Sequence, residues 1–335
     1  MKTRHNIRLT SSEITQLWAA YMNDSMAVCV LEYFVNKVED TEIHPVLEYT
    51  LELSLAHIEK ISKILQNENY PIPIGFDQEQ DVDVHAPRLY SDTFFLRFIK
   101  QMGQLGMNAY SLAVALSARD DVYDYFSECL SESNKLHKMA CKVLLSKGLY
   151  IRPPYLPTPD KADFVQKQKF LTGWFGERRP ITGIEIAHLF ANTQRNALGI
   201  ATLLGFAQTA KSKEVEQYMV RGSKISSKHV EVFNSILREN DLSAPMTWNT
   251  DVMDSTTYVF SDKLMMFQVA ALNGIGIGYY GASMGTSPRR DLGAHYARLI
   301  AEVGLYAEDG TNMMINNGWL ERPPQATDRE ELINI

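Results

Sequence analysis

The sequence predicts an all-α protein built as two tandem four-helix bundles. Three observations support this prediction: hydrophobic residues recur at helical spacing, the second half repeats the first in order, and no stretch alternates as a β-strand does. With 335 residues, the chain is too long for one ordinary domain and suits two. Its 45% of apolar residues is enough to build two cores.

The internal repeat is visible in residues that return at a constant distance. Glu13 returns 172 positions later as Glu185, and His57 returns in the same way as His229. After a two-residue slip in the middle of the unit, the distance becomes 170. The matched segments, in order, are 9–14 with 181–186, 57–59 with 229–231, 119–121 with 289–291, and 152–154 with 322–324. Because the order is kept throughout, we predict one helical module written twice.

Each module is predicted to contain four long helices. Thr10 followed by Glu13 is a capping box that starts the first helix, and Gly148 is suited to end the fourth. The third helix is almost wholly apolar, so we expect it to be the most buried. In the first module the predicted helices are 11–38, 45–69, 91–117 and 120–147.

The connections between the predicted helices differ in length. Helices one and two, and helices three and four, are joined by a few residues, which makes each pair antiparallel. Residues 70–89 and 241–257 are long enough to run the length of a bundle between helices two and three. One such long crossover is typical of ferritin-like bundles. We therefore predict two ferritin-like four-helix bundles, at 1–149 and 181–335, and a linker at 150–180.

The linker is rich in proline and aromatic residues. Its apolar side chains are too numerous to remain in water, so we expect an ordered segment that packs between the bundles. The side chains that we expect to be buried are Phe164, Phe170, Leu171, Trp174 and Phe175.

Charge and cysteine content argue against several functions. The net charge of −7 and the pI near 5.7 oppose binding to phosphate backbones, so we expect no nucleic-acid partner. The three cysteines form no CxxC pair, which suits a reducing compartment. The first residues lack the apolar segment of a signal peptide. We therefore expect a cytoplasmic protein.

Residues 264–288 contain no charged side chain and are long enough to cross a bilayer. They also contain Gln268 and Asn273, and the matching helix of the first module carries Arg97 and Lys100. We therefore predict a buried helix and no membrane span. The same segment contains Gly274, Gly276, Gly278, Gly281 and Gly285. Because phosphate-binding loops follow a strand, we predict that these glycines let another helix approach closely, with a ligand slot as the alternative.

The segment Ser287-Pro288-Arg289-Arg290-Asp291 resembles an anion site because of its paired arginines. We interpret it instead as a helix start, with Ser287 as the cap and Pro288 in the first turn.

Three segments carry a resemblance to a known family: 170–180 (FLTGWFGERRP), 287–296 (SPRRDLGAHY) and 317–326 (NGWLERPPQA). They are similar to an uncharacterised family of spore-forming Firmicutes, domain-of-unknown-function family 3231, over nearly the whole chain. The resemblance implies a tandem ferritin-like fold and a distant similarity to spore coat proteins. It implies no known activity and supplies no catalytic residues.

Ferritin-like bundles often hold two metal ions, which takes carboxylates from two helices and Glu-x-x-His from each of the other two. The sequence has one such pair, Glu185 and His188, whose first-module counterparts are Glu13 and Gln16. We therefore predict no dinuclear site.

A smaller metal site remains open. His57 and Glu132 fall near the middle of their helices and border the predicted core, and His229 and Glu302 repeat them. Two ligands are fewer than the three or four that a transition metal usually takes from protein. The alternatives are therefore iron, manganese or zinc at these pairs, or a histidine hydrogen-bonded to a carboxylate. No cysteine recurs in the second module or neighbours a histidine, so we predict no Cys/His site.

Taken together, these observations predict a non-enzymatic structural or interaction protein, with no cofactor and with spore association as one setting. Its partner would be a protein, either a second copy in a homo-oligomer or another chain. Two alternatives are a metal-binding protein that uses the His/Glu pairs and a small-molecule binder beside the glycine-rich helix.

Overall fold

The computed structural model describes residues 7–174 and 178–333. Within them the chain is all-α, as the sequence predicts, with eight helices of 24 to 27 residues and two short ones. The helices are α1 Ser11–Lys37, α2 His44–Asn67, α3 Gln78–Asp81, α4 Asp92–Ala115, α5 Asp120–Ser146, α6 Gly183–Thr209, α7 Lys213–Arg238, α8 Asp262–Thr286, α9 Arg290–Asn316 and α10 Arg329–Ile333. The long helices therefore form two repeats, α1–α2–α4–α5 and α6–α7–α8–α9.

A buried glutamate starts the first helix of each repeat. Thr10 and Glu13 form the predicted capping box on α1, and Thr182 and Glu185 form the same box on α6. Glu13 also accepts two backbone N–H groups of the turn between α4 and α5, each at 2.9 Å. Glu185 accepts a backbone N–H of the turn between α8 and α9 at 3.2 Å. Each glutamate thus fixes its helix to the turn between the third and fourth long helices.

In each repeat the four long helices share one apolar core. The first core contains Leu17 and Ala20 of α1, Ile61 and Leu65 of α2, Ala113 of α4, and Val122, Tyr125, Phe126 and Cys129 of α5. The second contains Ile186, Leu189 and Phe190 of α6, Phe233, Ile236 and Leu237 of α7, Tyr280 of α8, and Leu292, Tyr296, Leu299 and Val303 of α9. The α9 residues follow one another at steps of four, three and four, which places them on one helix face.

By its contacts the chain divides into two compact units. One comprises Met1–Val84, Phe98–Val143 and Leu320–Ile335, and the other comprises His85–Arg97 and Leu144–Trp319. The second repeat, α6 to α9, lies entirely within the latter. The boundaries of the predicted bundles, at 149 and 180, stay a prediction.

The glycine-rich helix α8 is not the most buried helix that we predicted. It is buried at its start, around Leu264, but exposed along much of its second half. A Cβ added at Gly274, Gly276, Gly278, Gly281 or Gly285 would meet no heavy atom within 4 Å, apart from its chain neighbours and the nearby backbone of its own helix. The prediction of close packing at these glycines is therefore wrong for the described chain. Close packing occurs instead in the first repeat, where a Cβ on Gly103 would lie 2.9 Å from the backbone of His137.

No helix of the described ranges is both long and apolar enough to cross a membrane.

The residues around the start of α9 differ from the prediction. Ser287 follows the end of α8, and the N-cap of α9 is Arg289. The buried guanidinium of Arg289 forms a salt bridge with Asp291 at 2.7 Å, so these two charged side chains of the segment pair with each other. The prediction of a Ser287 cap is therefore wrong.

Part of the linker is more exposed than predicted. Phe164 is 87% exposed and Trp174 is 56% exposed, whereas Phe170 and Leu171 are half-buried in a 3-10 turn. The burial of Phe164 and Trp174 was thus wrongly predicted. Residues 151–167, which include Phe164, form no helix that would collect apolar side chains on one face. Phe175 lies outside the described residues.

Candidate metal centre

Four side chains of the first repeat meet inside its helical core, and we call them the first-repeat cluster. Asp24 lies on α1, His57 on α2, and Cys129 and Glu132 on α5. Asp24, His57 and Cys129 are each at most 5% exposed, whereas the side chain of Glu132 is 23% exposed. Residues three apart share one face of a helix, so Cys129 and Glu132 both reach His57 from α5.

His57 stands between two carboxylates. Its Nε2 lies 2.8 Å from Glu132 Oε2, and its Nδ1 lies 3.4 Å from Asp24 Oδ2. One ligand atom each from His57, Cys129 and Glu132 lie within 4.8 Å of one another. Across the described ranges, this is the one group of three or more His, Cys, Asp or Glu side chains with such a spacing.

Three buried polar atoms of this region lack a hydrogen bond. They are Asp24 Oδ2, His57 Nδ1 and Tyr125 Oη, for which the described residues provide no partner with hydrogen-bond geometry. Leaving one such atom unpaired costs about 1–3 kcal/mol. Native proteins rarely tolerate this without a reason. These atoms are therefore not fully satisfied, although His57 Nδ1 and Asp24 Oδ2 lie 3.4 Å apart as an ion pair.

The surroundings of His57 strongly favour positive charge. Burial by itself lowers the pKa of the imidazole, but its contacts with Asp24, Cys129 and Glu132 and the charge of Asp24 raise this pKa to about 12. Two tyrosine rings meet the imidazole edge to face, Tyr110 at 5.9 Å and Tyr125 at 6.1 Å between centroids. Burial also raises the pKa of both phenols well above the usual value, so they remain neutral donors.

In the second repeat, His229 belongs to a complete chain of hydrogen bonds. Asn196 Nδ2 donates to Tyr280 Oη at 2.7 Å, and Tyr280 Oη lies 3.0 Å from His229 Nδ1. His229 Nε2 lies 3.2 Å from Glu302, which also accepts from Lys228 at 2.8 Å. Burial lowers the pKa of His229 although Glu302 opposes the shift, so this imidazole is neutral near pH 7. Both ring nitrogens of His229 therefore have a hydrogen-bond partner, and this arrangement needs no additional ion.

The internal repeat relates the two sites residue by residue. His57 corresponds to His229, and Glu132 corresponds to Glu302. Two positions differ in chemistry: Asp24 corresponds to Asn196, and Cys129 corresponds to Leu299. These correspondences follow the distances of 172 and 170 residues between the modules. The first repeat thus has a carboxylate and a thiol where the second has an amide and an alkyl group.

The sequence profile of a family described as "Protein of unknown function (DUF3231)" matches residues 1–162 and again residues 169–332. The chain belongs to this family. The two matches also support the internal duplication, one family unit per repeat. No curated protein matches the sequence.

Among solved structures, the DUF3231 chain is similar to a "putative spore coat protein" from Bacillus halodurans C-125. The two share 16% sequence identity with a TM-score of 0.42, over 46% of this chain and 98% of the other.

The structure brings both predicted His/Glu pairs of the DUF3231 protein together, at 2.8 Å in the first repeat and 3.2 Å in the second. The histidines do not border the core as predicted: His57 is 4% exposed and His229 is fully buried. Whether either pair binds a metal stays a prediction. His188, the histidine of the Glu-x-x-His pair, belongs to neither His/Glu pair. Its Nε2 lies 2.9 Å from Thr286 Oγ1.

Sequence reasoning missed Asp24 and Cys129. The prediction that no cysteine neighbours a histidine is wrong, because α5 brings Cys129 to His57 from a distant part of the sequence. One signal was available: Cys129 and Glu132 are three residues apart and therefore share a helix face. Asp24 had no comparable signal, because its position opposite His57 depends on how α1 packs against α2.

The first-repeat cluster offers donor atoms of the types that a single divalent transition-metal ion would need. His57 Nε2, Cys129 Sγ and Glu132 Oε2 are the types of atom that such ions prefer. A tetrahedral ion with bonds of about 2.0–2.2 Å needs its nitrogen and oxygen ligands about 3.3 Å apart. The present 2.8 Å separation would have to open by about 0.5 Å, which the partly exposed Glu132 side chain permits.

Asp24 would not bind the ion directly but would hydrogen-bond to His57, which does. It lies on the Nδ1 side of the ring, so it would accept the Nδ1–H bond while Nε2 faces the ion. A carboxylate in this position fixes the tautomer of a metal-binding histidine and raises its basicity.

Proposed function

We propose that this DUF3231 protein binds one divalent transition-metal ion in its first repeat, through His57, Cys129 and Glu132. The observation that carries the proposal is the spacing of their ligand atoms, within 4.8 Å of one another. Three protein ligands on two helices reach the number that zinc sites with an open position use.

The burial of charge supports the same conclusion. Asp24 and His57 are almost inaccessible, and the imidazole lies between two carboxylates. Burying charged groups is costly unless they are paired and hydrogen-bonded. A divalent ion would compensate the acidic ligands and leave His57 Nδ1 to donate to Asp24, which removes two of the unsatisfied atoms.

The lengths of the connections support a ferritin-like arrangement for each repeat, which is also part of this proposal. Residues 68–91 connect α2 to α4, and residues 239–261 connect α7 to α8. By contrast, residues 38–43 connect α1 to α2, and residues 210–212 connect α6 to α7. One long connection between the second and third long helices is typical of ferritin-like bundles. Such bundles commonly carry metal ligands on facing helices.

The proposal is tested by metal analysis of protein purified without chelator and dialysed against zinc, iron(II) or manganese(II). Wild type and His229→Ala are expected to retain one ion per chain, and His57→Ala is expected to lose it. The two variants are matched controls, because both remove a buried histidine at corresponding positions. Circular dichroism and thermal unfolding confirm that each variant is folded. Equal metal content in both variants, or none in wild type with all three metals, would refute the proposal.

A structural or interaction role, with spore association, is the second candidate. One observation favours it: the glycines of α8 form a small-residue surface on which an added Cβ would meet nothing within 4 Å. Small residues let another backbone approach closely, so this surface suits a protein partner, including a second copy of the chain. Light scattering after chromatography of wild type and Gly278→Leu is the test. A mass above the monomer that falls in the variant supports self-association through α8, whereas equal masses oppose it.

A further inference from the structure

We propose that Cys129 binds the ion as a thiolate in a zinc-class centre, and that one coordination position is left for a small neutral ligand such as water. This inference rests on the proposed metal function and assigns the metal class and the exchangeable ligand of that site.

The donor set selects the class of metal. One imidazole nitrogen, one sulfur and one carboxylate oxygen make a borderline-soft environment, which suits zinc better than the oxygen-rich, six-coordinate sites of manganese and magnesium. Cys129 is 1% exposed and stands among the ligands, so its sulfur is held at the site rather than at the surface. The corresponding position in the second repeat is Leu299, which has no donor atom.

The number of ligands leaves a position open. Within the described residues, the ligand group contains three side chains. Asp24 is the remaining carboxylate, but it lies on the Nδ1 side of His57, away from the Nε2 atom that faces Glu132. A zinc ion with three protein ligands takes its fourth ligand from solution.

Charge and hydrogen bonding indicate the type of fourth ligand. A thiolate and a carboxylate cancel the charge of a divalent ion, so the centre attracts neutral donors more than anions. Tyr125 Oη is buried next to Cys129, and no described residue meets it with full hydrogen-bond geometry. Its phenol can donate to, or accept from, a water molecule on the ion, which satisfies this atom as well.

Cobalt(II) is the probe, because it takes the place of zinc and reports its ligands optically. Wild type loaded with cobalt(II) is expected to show a thiolate-to-cobalt absorption in the near ultraviolet and the intense visible bands of a four-coordinate ion. Cys129→Ser is expected to lose the near-ultraviolet absorption and to bind cobalt at least about tenfold more weakly. Cys141→Ser is the matched control and is expected to leave the spectrum unchanged, because Cys141 is not among the three ligands.

Adding imidazole, a neutral donor, is expected to shift the visible bands, with azide as the anionic comparison. Cobalt that binds without the near-ultraviolet absorption refutes the thiolate, whereas the loss of metal in His57→Ala decides separately whether the first repeat binds an ion. Visible bands that imidazole does not change, or that azide changes at lower concentration, refute the open neutral position. No cobalt binding under any condition refutes the proposed function itself.

Discussion

The two repeats place the same His–Glu pair in opposite electrostatic states. In the first repeat, His57 lies between Asp24 and Glu132 with a raised pKa and an unsatisfied Nδ1. In the second, His229 is neutral, with Tyr280 on one nitrogen and Glu302 on the other. The comparison teaches that differences such as Asp24 for Asn196 and Cys129 for Leu299 distinguish a candidate metal site from a hydrogen-bonded core on the same arrangement of helices.

The largest expected effect is the creation of a second site. Asn196→Asp combined with Leu299→Cys gives the second repeat the four side-chain types of the first-repeat cluster, so we expect the metal content to rise from one ion per chain to two. Metal analysis after dialysis measures this, and Leu299→Ala with Asn196→Asp is the control that supplies no sulfur. An unchanged metal content in a folded double variant would show that these two positions are not sufficient to make the difference between the repeats.

The next effect concerns Asp24. Asp24→Asn removes the carboxylate that orients His57 and should weaken metal binding about 10–100-fold. The matched substitution Asn196→Asp alone should leave the affinity unchanged, because the second repeat lacks a thiol at Leu299. Competition with a chelator of known affinity measures both. Equal affinity of Asp24→Asn and wild type would remove Asp24 from the site.

The third effect is a pair of opposite pH dependences in the metal-free protein. The pKa of His57 is raised above that of the unfolded chain, so its contribution to stability is complete below about pH 6.5 and falls as the pH rises toward 12. The pKa of His229 is lowered, so its contribution is complete above about pH 6.5 and is lost as the pH falls.

Urea unfolding of wild type, His57→Gln and His229→Gln across pH measures these two contributions. The difference between wild type and His57→Gln should shrink with rising pH, and the difference for His229→Gln should shrink with falling pH. Parallel pH profiles for the two variants would contradict the assigned charge states.

The smallest effect separates the two tyrosines that face the histidines. Tyr280→Phe should lower the free energy of unfolding by about 1–3 kcal/mol, because it leaves His229 Nδ1 without its partner. Tyr110→Phe should change the free energy of unfolding by less than about 0.5 kcal/mol, because Tyr110 meets His57 edge to face and none of the described hydrogen bonds joins the two side chains. Thermal unfolding of the two variants side by side is sufficient, and equal losses would contradict the difference between the repeats.

The helices of this protein were largely predictable from its sequence. Hydrophobic spacing and the Thr10/Glu13 capping box predicted α1 within one residue at each end, and the repeat carried the same box to α6. These features are local, because a capping box and an apolar stripe are satisfied within a few helical turns. The His57/Glu132 pair was also predictable, since both residues recur at the same places in the second module.

The tertiary structure alone decided which other side chains complete each site. Helical periodicity reports where a residue lies around its own helix, whereas a site depends on how neighbouring helices are rotated and shifted against one another. Asp24 and Cys129 join His57 through such packing, and Gly278 faces open space for the same reason. By itself, the sequence determined that two similar four-helix modules form. The packing of their helices determined that one histidine lies between two carboxylates, whereas its counterpart lies between a phenol and one carboxylate.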